Sequence, residues 1–146
     1  MRFSGVFKGK IVNHKTGEIT CWEKHNRIVS GGFSWLADIM SNTTNRGMAL
    51  SYIAFGDGTN TTSYNMTGLQ NELCRYSVTS TWDSETRKLT LTGTIPQGSD
   101  IEADITEVGL FTAAENGTMF DRATFLPKTI DSSSSFTYSF IITLSE

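Results

Sequence analysis

The chain has 146 residues, of which 38% are apolar and 18% charged, with 16 Ser and 21 Thr, a net charge of −3 and a pI near 5.4. That length suits a single domain, residues 1–146, with a hydrophobic core of its own. The acidic balance argues against a nucleic-acid partner, which needs a clustered basic face, and without an apolar run long enough for a membrane span or a secretory leader the sequence reads as soluble and unprocessed, with no membrane partner.

In chain order, FSGVFKGKIV (3–12) is a β-prone run, Asn13-His14-Lys15-Thr16-Gly17 supplies turn chemistry, and Glu18 to Trp22 forms the return strand of a hairpin over about residues 3–22. Apolar residues fall in both alternation phases of its first strand: Phe3, Val6, Phe7, Ile11 and Val12. That is more than one packed face uses, so these five are expected to form an assembly interface that covers an open sheet edge. A helix follows, with Ser30 as N-cap, Phe33, Leu36, Ala37 and Met40 on one face, and Ser41-Asn42 as its polar end. Beyond it the pattern is β throughout: Tyr52 to Phe55; Leu73 to Trp82 with Arg87 to Ile95; Asp104 to Thr112 with Thr118 to Phe125; and a closing strand in which Phe136, Tyr138, Phe140 and Ile142 alternate with polar neighbours. About eight antiparallel strands with one short helix predict a mainly β fold, a sandwich or small barrel.

Few residues suggest chemistry. His14 and His25, the only histidines, read as exposed loop residues, and no nucleophile elbow accompanies them. Gly56-Asp57-Gly58-Thr59-Asn60 lacks the third Gly of a dinucleotide fingerprint and the Lys of a phosphate loop, and reads as a turn leaving a strand. Asp57, Asp100 and Asp104 do not follow a calcium-loop spacing, and Cys21 and Cys74 match neither a zinc nor a redox motif. They read as free thiols, and the sequons at Asn42, Asn60, Asn65 and Asn116 as loop composition. No cofactor, metal or catalytic residue is therefore expected. In Ile105-Thr106-Glu107-Val108-Gly109-Leu110-Phe111, alternation sets Glu107 on the face of Ile105 and Phe111, a costly place for an unpaired charge. Arg75 and Arg122 are the candidate partners, and either could pair with Glu107 or Glu72. A structural ion pair is the expectation.

The segments Tyr52 to Thr59, Thr67 to Arg75, Ile105 to Phe111 and Asp121 to Phe125, preceded by Asn26-Arg27-Ile28-Val29-Ser30-Gly31-Gly32 and a short helix, together resemble a β-domain recurring in structural proteins of tailed bacteriophages. The resemblance spans about residues 20–144. It implies a non-enzymatic virion part, assembled in the host cytoplasm. The expected role is a capsid decoration (cement) protein that binds the major capsid protein as a homo-oligomer, a trimer above all. A short tail, collar or neck fibre component, contacting tail or neck proteins, is the alternative, and a carbohydrate-active enzyme comes third.

Overall fold

The computed structural model describes residues 2–41 and 48–146, which form ten strands and one helix. One sheet contains β1 (Arg2–Asn13), β2 (Ile19–His25), β6 (Thr79–Asp83), β7 (Lys88–Ile95) and β10 (Ser134–Ser145), in the order β2-β1-β10-β7-β6. The other contains β3 (Arg27–Ile28), β4 (Tyr52–Gly56), β5 (Glu72–Ser77), β8 (Ala103–Phe111) and β9 (Met119–Ile130), in the order β3-β9-β8-β4-β5. All pairings are antiparallel. The protein is a β-sandwich, as the alternating strands predict. The strand count rises from eight to ten for two reasons: the run Leu73 to Trp82 divides at Val78, its first half joining one sheet and its second half the other, and Arg27–Ile28 adds the short edge strand β3.

Between the sheets lies an aromatic core. Phe7, Phe55, Phe136, Tyr138 and Phe140 are buried, with Phe55 edge-on to Tyr138 at 4.8 Å between centroids and Trp22 stacked on Phe136 at 5.4 Å. Such contacts add directional preference to the area they bury.

The amino-terminal hairpin is part of this core, which corrects the assembly reading. β1 is an interior strand, paired with β10 from Arg2↔Ser145 to Asn13↔Ser134 on one side and with β2 on the other. Phe7 and Ile11 are buried, and Phe3 packs against the same cluster. Only Val6 and Val12 remain on the outer face, both half-buried. The two alternation phases of β1 thus serve the two faces of a central strand, and the open edge belongs to β2.

The helix α1 (Ser30–Ser41) forms where its periodicity places it, but turned by one residue. Phe33 and Met40 are exposed, while Gly32, Trp35, Leu36 and Ile39 face inward. Gly32 decides this. A Cβ there would come within 2.3 Å of the Phe120 carbonyl oxygen, so only glycine lets the helix backbone lie on β9, and Trp35 then meets the Phe120 ring edge-on. The cap also moves back by one: the Val29 carbonyl accepts the first helical bond from Phe33, leaving the Ser30 amide to donate to the Tyr64 carbonyl at 2.7 Å. The proposed polar end at Asn42 lies outside the described residues.

Because β1 contributes Phe7 and Ile11 to the core and bridges β2 to β10, deletion of residues 1–12 should abolish cooperative unfolding rather than merely weaken assembly. Loss of the sigmoidal thermal transition in circular dichroism is the expected result.

Candidate functional site

Glu107 and Arg122 form an ion pair at 2.7 Å, and both side chains are fully buried. They lie on the face of the β8–β9 sheet that points away from the main core. A bulge between Ile105 and Glu107 explains this placement. It shifts the alternation by one, so Ile105, Val108 and Leu110 enter the main core while Glu107 and Phe111 take the opposite face. The face that Glu107 was expected to share with Ile105 is therefore split, and the segment joining β4 to β5 covers its outer half.

The pair holds that segment through its main chain. Glu107 Oε1 accepts from the amides of Gly58 at 3.0 Å and Asn71 at 2.8 Å. Its Oε2 accepts from the Gln70 amide at 2.9 Å and from Arg122 Nε and Nη2 at 2.9 and 2.7 Å. Arg122 spends its remaining donors on the Asn60 carbonyl, Asn60 Oδ1 and Thr62 Oγ1, at 2.8 to 2.9 Å. Every N–H of the guanidinium is used, and the carboxylate accepts five bonds. A buried charge pair needs this degree of satisfaction to persist.

Around the pair the loop closes on itself. Gln70 Oε1 accepts from the Thr59 and Asn60 amides, Asn71 Nδ2 donates to Asp57 at 2.6 Å, and Thr106 Oγ1 donates to the Gly58 carbonyl at 2.7 Å. The Gly-Asp-Gly turn has a steric basis. A Cβ on Gly56 would lie 2.5 Å, and one on Gly58 2.6 Å, from Glu107 Oε1, so only glycine lets the chain approach the carboxylate this closely.

Of the two candidate arginines, Arg122 is thus the partner of Glu107. Arg75 pairs instead with Glu72, at 2.6 Å. Its guanidinium lies 3.8 Å over the Phe111 ring and donates to the carbonyls of Ala113 and Asn116, tying β5 to the β8–β9 turn. His14 sits in the exposed β1–β2 turn, bonded to Ser135 at 2.8 Å, and His25 ends β2 in solvent. Both cysteines are free; Cys21 is exposed, and burial raises the Cys74 thiol to about 11, which keeps it protonated. Among the described residues no group of three or more His, Cys, Asp and Glu is placed to hold a metal ion.

A second buried carboxyl escaped the sequence reading. Asp121 points into the sandwich and hydrogen-bonds Asn26, the residue at which the chain passes from β2 in one sheet to β3 in the other. Burial pushes Asp121 well above the ordinary carboxylate range, and the Asn26 amide offsets this only in part. Asp121 Oδ1 and Asn26 Oδ1 are both buried with no hydrogen-bond partner among the described residues. The available signal was an acid inside an otherwise apolar strand, Met119-Phe120-Asp121, the same signal that singled out Glu107.

Comparison with protein-family models, with curated proteins and with solved structures finds no match to this chain.

Two outcomes follow from these carboxyls. Glu107→Gln strands the Arg122 charge and should cost about 3–5 kcal/mol, a fall in Tm of roughly 10 °C or more, with Arg122→Met comparable. The double variant Glu107→Leu with Arg122→Met should recover part of the loss, whereas Arg75→Met should be milder because Glu72 can turn to solvent. Denaturant titration of the four variants separates these cases. For Asp121 the raised folded value means that its contribution is fully present below about 3.8, the ordinary value, and declines as pH climbs through the folded one. Asp121→Asn, which mimics the neutral acid, should therefore gain stability relative to the natural chain as pH rises from 4 to 9 in a series of melts.

Proposed function

We propose that this chain is a non-enzymatic structural component of a tailed-bacteriophage virion, a decoration protein that binds and stabilises an assembled capsid. One observation carries the reading. The four segments on which the family resemblance rests contribute Gly56, Asp57 and Gly58, then Gln70 and Asn71, then Glu107, then Arg122, and all of these belong to the single ion-pair cluster under the β4–β5 loop. Residues scattered over more than sixty positions are thus united by one structural task, which supports the resemblance as a shared architecture. The chemistry of the cluster supports a passive role as well. A carboxylate that accepts five hydrogen bonds beside a saturated guanidinium has no lone pair or proton left for a substrate.

Binding in this reading uses surface and strand edges. The outer faces of β1 and β2 present Val6, Val12 and the exposed Ile19, and β2 is an open edge, so a neighbouring subunit or the capsid can extend the sheet there. A homotrimer around a capsid symmetry axis fits such an edge-to-edge contact. A short tail or neck component is the other virion role that the same resemblance implies.

Quantitative mass spectrometry of purified particles separates the two. A decoration protein should be present on the order of hundreds of copies per particle, as shell symmetry demands. A handful to dozens would assign the chain to the neck or tail, and its absence from particles would reject the virion reading.

A further inference from the structure

Where the chain crosses from β2 to β3, the gap between the two sheet edges forms a groove of about 260 Å³. Two cationic side chains line it, those of Lys24 and Arg27, together with three hydroxyls, of Thr61, Thr62 and Thr124. His25, whose ring shares the Glu23 face of β2, Asn26, the saturated Arg122 and the apolar Ala123 complete it. The chain as a whole has 15 acidic residues against 12 Lys and Arg, yet none of the residues lining this groove is acidic.

The acids nearest to it do not cancel its charge. Glu107 is matched by Arg122, and Asp121, beneath Asn26, is held toward its neutral form by burial. Glu23, the adjacent acid in sequence, faces the other side of β2 beside Lys8. Lys24 makes no hydrogen bond or ion pair within the described residues. Arg27 commits only Nη1, to the Thr62 carbonyl at 2.9 Å, so its other donors are available.

We infer that this groove binds a compact oxyanion, a phosphate, sulfate or carboxylate group, with Lys24 and Arg27 supplying charge and the threonine hydroxyls supplying neutral donors. The inference is independent of the virion reading, because it rests on the lining of the groove alone.

The full chain at low ionic strength, titrated separately with inorganic phosphate, sulfate and acetate and followed by backbone amide NMR, tests it. Saturable shifts centred on residues 24–27 and 61–62 are expected, weakened about fivefold or more by Lys24→Gln and by Arg27→Gln. Lys128→Gln, outside the groove, should leave them unchanged. The ion that saturates at the lowest concentration tells whether phosphate-type or carboxylate ligands are preferred. Shifts that sodium chloride reproduces, that never saturate, or that persist in Lys24→Gln would overturn the proposal. Lys24 is exposed and unpartnered, so that variant keeps the fold.

Discussion

The fold rests on a constraint set by one buried ion pair. Glu107 and Arg122 stand on adjacent strands of a sheet face that would otherwise have to be either apolar or wet. Their charges can stay buried only if the β4–β5 segment comes down and supplies amides and carbonyls to them. That segment has little apolar surface of its own, and its order depends on the same bonds. Each side therefore requires the other: the loop without the pair has no anchor, and the pair without the loop has no solvation. The small satellite cluster of Val29, Ala54, Phe111 and Met119, with Met66 and Leu69 laid over it, is the apolar seal around this polar centre.

The two halves of the sandwich are joined differently. Sheet-to-sheet contact in the main core is aromatic and apolar, but the crossing from β2 to β3 is polar, with Asn26 seated against Gly5 and bonded to Asp121. A carboxylic acid and an amide side by side can satisfy each other without any net charge. The polar groups of this molecule are thus arranged in two layers, a charged one sealed under the loop and a neutral one at the crossover. The groove that Lys24 and Arg27 line borders the neutral layer, sharing Asn26 with it.

Much of the architecture was legible in the sequence because the strands alternate cleanly. Thr90, Thr92 and Thr94 against Leu89, Leu91 and Ile95 set one face wet and one dry, and the structure keeps that division. The errors arose where alternation carries less information than it seems to. In β1, apolar residues in both phases point to an open edge, but in a strand flanked on both sides one phase fills the core and the other leaves Val6 and Val12 half-buried on the outer face. In β8 a bulge, invisible in composition, changed the phase between Ile105 and Glu107. In α1 the apolar count favoured Phe33 and Met40, while the actual contact was chosen by the absence of a side chain at Gly32. The ion pair itself could be anticipated as an acid in an apolar strand, but not its five-bond shell, because backbone amides leave no trace in a side-chain pattern.

The loop over the ion pair is clamped mostly through its main chain and through Asn60, Thr62, Met66 and Gln70, while Thr59, Thr61, Ser63, Asn65 and Thr67 between them are exposed. Committed and uncommitted positions alternate. Substitutions at the exposed set leave the clamp untouched, so this stretch can diversify under selection while its backbone course is preserved, a division of labour that lets a surface change its recognition properties without renegotiating the fold beneath it.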